Sequence, residues 1–260
     1  MIKEYFGTIA YLATGLYLSF HLLGILRRQP RSMLVFFSLL AAVSIVFSNL
    51  YWITYDLMRP GVRMPFAANE ISEGAIFLLF VSALMSAVRV KLRDALPLVL
   101  LTMAFTLANV LFWIGWSGEW FQDIFTGLVL GYFLCIIAAA LKKENACSRH
   151  EWWGIGILSA VLVLGQTGTF LAPKPVRHPL DLACYACMQI GAIFFFILRF
   201  RAGRAGKNPE TVLILSFAFF AWMSVSMYMS AGIFYVAAEL ELCLSLLLLL
   251  TAIRKKEGFA

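Results

Sequence analysis

The feature that most limits the fold is a regular alternation of long apolar stretches and short polar breaks along the chain. An α-helix needs about 20 apolar residues to cross the hydrocarbon core of a bilayer. Nine stretches of about that length follow one another: Tyr5 to Leu26, Met33 to Tyr55, Phe66 to Val88, Ala95 to Trp116, Phe121 to Leu141, Trp152 to Ala172, Leu180 to Leu198, Thr211 to Met229 and Ala231 to Ile253. The alternation predicts an all-α fold, a polytopic bundle of transmembrane helices.

The composition agrees with this prediction. Hydrophobic residues make up 62% of the chain and charged residues 13%, whereas a soluble domain is about half apolar and a quarter charged. Too few polar residues remain to cover the surface of a soluble domain, which excludes a soluble globular protein. Only a short break at Ser230 and Gly232 separates the last two stretches, so seven to nine spans are predicted. Residues 1–260 are expected to form a single integral membrane domain.

The polar breaks alternate in charge, which predicts an orientation. Sixteen of the 21 basic residues fall in alternate breaks: Arg27, Arg28, Arg31, Arg89, Lys91, Arg93, Lys142, Lys143, Arg149, Arg199, Arg201, Arg204, Lys207, Arg254, Lys255 and Lys256. Cytoplasmic loops carry an excess of Lys and Arg. The N-terminus is therefore expected outside and the C-terminus in the cytoplasm, in a multi-pass protein of the plasma (inner) membrane.

The net charge of +7 and the pI near 9.3 do not indicate nucleic-acid binding. Basic residues next to apolar spans are typical of contact with anionic lipid on the inner leaflet. The predicted partner is the lipid bilayer. No sequence motif identifies a cofactor.

After the first span the chain reads as four tandem helical hairpins, and polar residues recur in them at similar depth. The rising spans carry an amide about two turns below their ends: Asn49, Asn109 and Gln166. The returning spans carry carboxylates in their first turns: Glu70, Glu73, Asp123, Asp181, Glu239 and Glu241. Internal duplication is one explanation for this recurrence. The other is that two spans of similar length joined by short loops repeat at a nearly constant interval in any such chain.

The carboxylates are the first candidates for function because burying charge in hydrocarbon is costly. Glu70 and Glu73 are three residues apart and share a helix face, whereas Glu239 and Glu241 point in different directions. Two interpretations stand. These residues line a polar cavity open to the outside, or they lie higher and are solvated or paired with Arg59 and Arg63.

Grouped carboxylates with nearby amides suit a small cation, such as an amine, a divalent metal ion or a proton. Trp222 is the one tryptophan deep enough to line a cavity. The predicted ligand-binding residues are Asn49, Glu70, Glu73, Asn109, Asp123, Gln166, Asp181, Trp222, Glu239 and Glu241.

Cys184 and Cys187 form a CxxC pair on one face of the seventh span, preceded by Asp181. Such a pair suits thiol redox chemistry or, with Asp181, metal binding. The second cysteine pair of a redox relay is missing from the sequence, and helix packing is the alternative. Gly127 and Gly131 form a GxxxG pair, which predicts close packing within the bundle or a homo-oligomer.

Three functions follow from these features. The first is a carrier or binding protein for a small cationic or proton-coupled solute. The second is a ligand-sensing or accessory module that acts through a cytoplasmic partner. The third is an intramembrane enzyme that acts on lipid or through thiols. The sequence favours a non-enzymatic function.

Overall fold

The computed structural model describes residues 2–60 and 68–259, apart from the side chains of residues 2–4, 68, 69, 116 and 117. Over these residues the chain contains no strand and forms nine α-helices, each long and apolar enough to cross a membrane. They are α1 (Ile2–Arg28), α2 (Met33–Met58), α3 (Ala68–Ala87), α4 (Leu96–Ser117), α5 (Trp120–Lys143), α6 (Arg149–Leu171), α7 (Lys174–Arg204), α8 (Pro209–Met229) and α9 (Ile233–Lys256). The predicted all-α fold is confirmed, with nine helices of spanning length and composition, at the upper end of the predicted range of seven to nine.

The last two apolar stretches form separate helices. Gly232 joins them with φ of +57° and ψ of −129°, a backbone conformation that side-chain-bearing residues rarely adopt. The Ser230 hydroxyl donates to the Ser226 carbonyl at 2.6 Å and occupies one of the last carbonyls of α8. A tight glycine break therefore ends one helix and begins the next.

Helix α7 begins at Lys174, six residues before the predicted start at Leu180. The reason lies in its prolines. Pro175 occupies the first turn, where its fixed φ suits a helix and its missing N–H costs nothing. Pro179 lies within the helix, where it provides no N–H for the hydrogen bond to residue 175. The proline-rich segment thus extends the helix instead of preceding it.

The helices pack as two rings that share α5 and α8. In the first ring, α1, α2, α3, α5, α8 and α9 contact one another in that order, and α9 closes on α1. In the second ring, α5, α4, α6, α7 and α8 do the same, and α8 closes on α5. Each predicted hairpin pair, from α2 with α3 to α8 with α9, is also in contact. Helix α8 is consequently the most buried of the spans.

Phenylalanines hold the two shared helices against α3. Phe133 of α5 has its ring centroid 5.8 to 6.5 Å from four neighbouring rings. These neighbours are Phe77, Phe80, Phe217 and Phe220, and all five rings are buried. Edge-to-face and offset contacts of this kind are the favoured geometry for aromatic rings. This aromatic cluster forms the core where the two rings meet.

The GxxxG pair packs inside the bundle. An added Cβ at Gly127 would overlap the side chain of Val110, and one at Gly131 would overlap Thr106. Both neighbours belong to α4. The two glycines therefore let α4 and α5 of one chain approach closely, and this face is not free for a second copy.

Candidate functional site

Two carboxylates lie inside the first ring, at the end of the bundle where α1 begins. We call this the upper end and the opposite end the lower end. Glu73 projects from the second turn of α3 and Glu239 from the second turn of α9. Side chains from α1, α2 and α8 complete their surroundings. Five helices thus contribute to one polar region.

Glu73 accepts a hydrogen bond from the Tyr228 hydroxyl of α8 at 2.9 Å. The Ser48 hydroxyl of α2 lies beside the same carboxylate. Glu70 lies one turn away on α3, close enough for its charge to interact with Glu73, and it is buried. The predicted shared face of Glu70 and Glu73 therefore turns into the bundle.

Glu239 is 2% exposed and is held against α1. The Thr8 hydroxyl donates to its Oε1 atom at 3.2 Å. Its Oε2 atom is buried and has no hydrogen-bond partner among the described residues. A Cβ atom at Gly7 would overlap Oε2, so the glycine provides the space that this carboxylate occupies.

Three tyrosines lie between these carboxylates. Tyr11 of α1 is close to both Glu73 and Glu239, and so is Tyr235, which precedes Glu239 by one turn. Tyr228 lies close to Tyr11 and Tyr235 as well as to Glu73. The carboxylate-tyrosine cluster is defined as Tyr11, Glu70, Glu73, Tyr228, Tyr235 and Glu239. In the described part of the chain, no basic side chain pairs with Glu73 or Glu239.

The Tyr228 hydroxyl is expected to stabilise the fold through Glu73. Tyr228→Phe removes the only donor aimed at the carboxylate from α8, at a cost of about 1 kcal/mol for a hydrogen bond between membrane helices. The thermal midpoint of the detergent-purified chain should fall by about 2 to 4 °C.

The loss should vanish when Tyr228→Phe is made in a Glu73→Leu background, because leucine accepts no hydrogen bond and the double-mutant cycle then isolates this pair. Tyr132→Phe is the control. The Tyr132 hydroxyl is 3.9 Å from the Met85 sulfur and faces the exterior. An equal loss in the control would contradict the assigned role of Tyr228.

The three predicted amides have different partners. Asn49 and Asn109 donate to carbonyls of their own helices, at Ile45 and Phe105. Gln166 of α6 donates to the Met229 sulfur of α8 at 2.8 Å. The Oδ1 atom of Asn109 and the Oε1 atom of Gln166 are buried and accept no hydrogen bond from the described residues. Asn49 and Asn109 thus satisfy their N–H donors within their own helices, and Gln166 links α6 to α8.

The remaining predicted residues lie on other helix faces. Glu241 accepts from Gln189 of α7 at 3.2 Å, so Glu239 and Glu241 do turn to different neighbours. The Trp222 indole donates to the Met188 carbonyl at 3.0 Å and packs over Gly191. Asp181 lies beside Cys184 and Tyr185 on α7. Asp123 is half-buried in the first turn of α5.

Cys184 and Cys187 are both buried free thiols. The Cys187 sulfur donates to the Leu158 carbonyl at 3.5 Å, and the Cys184 sulfur packs against Gly165. Both contacts are with α6. Across the residues that the structure describes, no three His, Cys, Asp or Glu side chains are grouped to hold a metal ion. The pair therefore contributes to the packing of α6 against α7.

The hydroxyl-bearing members of the site were not predicted from the sequence. Thr8, Tyr11 and Ser48 lie in apolar stretches where single hydroxyls are common. One signal was readable, since Tyr235 and Glu239 are four residues apart and share a face of α9. Gly7 and Tyr11 have the same spacing on α1.

The apolar helices and the buried polar cluster mark the chain as a helical, membrane-embedded protein. Comparisons with known protein families, curated proteins and solved structures find no match.

Proposed function

We propose that the protein is a carrier or binding protein of the plasma membrane for a small organic cation or a proton-coupled solute. The observation that carries this proposal is the pair Glu73 and Glu239, two carboxyls inside the bundle without a basic partner among the described residues. An intramembrane carboxyl in this position is stable either as the neutral acid or with a cation beside it. The same groups can therefore hold a proton or exchange it for a cation.

The surroundings favour an organic cation over a metal ion. A divalent metal needs several ligands grouped at short distances, and among the described residues no three His, Cys, Asp or Glu side chains are grouped in this way. Aromatic rings instead surround the carboxylates: Tyr228 packs against Trp113 with centroids 5.9 Å apart, and Tyr11 lies close to Glu73. Ring faces attract ammonium groups, most strongly where water is excluded.

The proposal is tested by the thermal midpoint of the detergent-purified chain with tetramethylammonium, guanidinium or Na⁺ as probe. A bound organic cation should raise the midpoint, because at one hundred times its Kd it increases the free energy of unfolding by about 2 to 3 kcal/mol. The shift should be larger at alkaline than at acidic pH, because the cation competes with protons for the carboxylates. Na⁺ should produce a smaller shift.

Glu73→Gln combined with Glu239→Gln should remove the shift, since amides keep the shape but cannot ionise. Glu241→Gln is the matched control, as it changes a carboxyl of the same helix that contacts Gln189. This control should respond to the cation as the unmodified chain does. A shift that survives in the double variant, or a shift that is independent of pH, would contradict the proposal.

A further inference from the structure

The second ring encloses an apolar cavity of about 440 Å³. Its walls come from all five helices of that ring, and Thr102 and Ser159 are the only hydroxyl-bearing side chains among them. The Thr102 hydroxyl is satisfied by the Leu98 carbonyl of its own helix. Cavities of roughly 300 to 1,000 Å³ are of ligand size. The wall of this cavity is almost entirely apolar and therefore suits an apolar ligand.

The cavity opens to the side, between α4 and α6. Leu101 of α4 lines the cavity and is 65% exposed on the bundle surface. Gly156 and Ala160 of α6 line it too, and both are exposed. An added Cβ at Gly156 would meet no atom within 4 Å. The small residues therefore leave an entrance that faces the hydrocarbon when the helices span a membrane.

A basic pocket of about 410 Å³ adjoins the cavity at the lower end of the bundle. Trp152 lines both spaces, so the two lie next to each other with this side chain between them. Lys142 lies in the last turn of α5 and Arg149 begins α6, and both line the basic pocket. The loop between them is short and turns at Asn145, whose φ is +46°. This turn places the two cations on one pocket.

The cations of this pocket are free to take an anion. Lys142 and Arg149 are exposed, and neither forms an ion pair within the described residues. The two nearby acids are engaged elsewhere: Glu144 lies 4.0 Å from Lys143 and Glu151 lies 3.7 Å from Arg201.

Cys147 also lines the basic pocket but adds no negative charge. Burial raises the pKa of its thiol to about 12. The thiol is therefore neutral at physiological pH, and the two cations determine the charge of the pocket.

We propose that these two spaces form one binding site for an anionic phospholipid. The phosphate binds Lys142 and Arg149, Trp152 lies at the boundary, and one acyl chain enters the cavity between α4 and α6. Basic pockets between transmembrane helices bind lipid head groups in this way, and tryptophan prefers the membrane interface. The site lies in the second ring and at the lower end, so it does not depend on the carboxylate-tyrosine cluster or on the function proposed for it.

Native mass spectrometry of the detergent-purified full chain tests this site. Phosphatidylglycerol and phosphatidylcholine of identical acyl chains are compared as probes. We expect saturable binding of one phosphatidylglycerol and weaker binding of phosphatidylcholine. Lys142→Gln with Arg149→Gln should weaken phosphatidylglycerol binding on the order of 20-fold, since each cation near the surface contributes about fivefold, and should remove the preference for the anionic lipid.

The chain-binding part of the site is tested by Gly156→Leu, which places a branched side chain at the cavity entrance, where its Cβ meets no atom within 4 Å. Binding of both lipids should fall, by about fourfold for each methylene group excluded from the cavity. Gly24→Leu is the matched control. It adds the same side chain to an exposed face of α1 where a Cβ also meets no atom within 4 Å.

Arg27→Gln with Lys255→Gln is the charge control, because it removes two exposed cations from the same end of the bundle. Both controls should bind phosphatidylglycerol as the unmodified chain does. Equal binding of the two lipids by the unmodified chain would overturn the proposal, and so would full binding by the Lys142/Arg149 variant. Glycerol phosphate that binds as tightly as the lipid would show a site for a soluble phosphate instead.

Discussion

Proteoliposomes that carry Glu73→Gln with Glu239→Gln are expected to take up no more tetramethylammonium than empty vesicles. The permanently charged probe crosses lipid poorly, so uptake driven by an outward proton gradient reports exchange through the protein. Exchange requires a group that releases its proton and then neutralises the cation inside the bundle. Glutamine occupies the same space as glutamate but can do neither, so the expected effect is complete loss of the exchange.

Two comparisons make this expected loss specific. Glu241→Gln should retain uptake, because its carboxyl contacts Gln189 of α7 and lies outside the carboxylate-tyrosine cluster. Uptake by the double variant at the unmodified rate would contradict the role given to Glu73 and Glu239. Cation binding without uptake in the unmodified chain would favour the sensing function over the carrier, since both need the site and only one needs passage.

Phe133→Ala is expected to destabilise the fold more than any other single truncation described for this chain. Phe133 is fully buried and lies at the centre of the aromatic cluster that joins α5 and α8 to α3. Removing the ring leaves a void of about 100 Å³, which costs about 2 to 3 kcal/mol if the neighbours do not collapse. The loss is one of packing, because hydrocarbon offers the unpacked helices an apolar environment as well.

The loss is measured as a lower unfolding midpoint of the purified chain in detergent. Phe20→Ala is the matched control. Phe20 lies on α1 with 76% of its surface exposed, and its described ring contact is with the neighbouring His21. The control should leave the midpoint nearly unchanged. Equal losses in the two variants would show that the aromatic cluster does not hold the rings of helices together.

The sequence by itself predicted the helices. In hydrocarbon every backbone N–H and C=O must be satisfied within its own segment, so a long apolar stretch forms a helix whatever its neighbours are. Local composition therefore located each span. The observed helix ends differ from the predicted ones where the backbone conformation of a proline or a glycine, which hydropathy does not measure, sets the boundary. At α7, proline in the first turn extended the helix to Lys174. At Gly232, one backbone conformation separated α8 from α9.

The sequence also identified Glu70, Glu73 and Glu239 as unusual, since burying a carboxylate in an apolar membrane segment costs free energy. It could not show which of the polar residues meet. The amides at similar depth looked equally suited to a shared site, yet Asn49 and Asn109 donate to their own helices. An amide can satisfy its N–H donor locally in this way, whereas a carboxylate only accepts hydrogen bonds and needs a donor from elsewhere.

Only the tertiary structure decided the partners. Tyr228 and Glu73 are 155 residues apart in the chain, and Thr8 and Glu239 are 231 residues apart. These contacts depend on α1 closing the first ring against α9 and on α8 lying between the two rings. Helix order is set by many small packing contacts between similar apolar faces, such as the phenylalanines around Phe133 and the glycines that admit Val110 and Thr106. Hydropathy determines where helices form, because burial in lipid depends on the composition of each segment alone. Which helices become neighbours depends on how well the surfaces of two helices fit together, and hydropathy does not describe that fit.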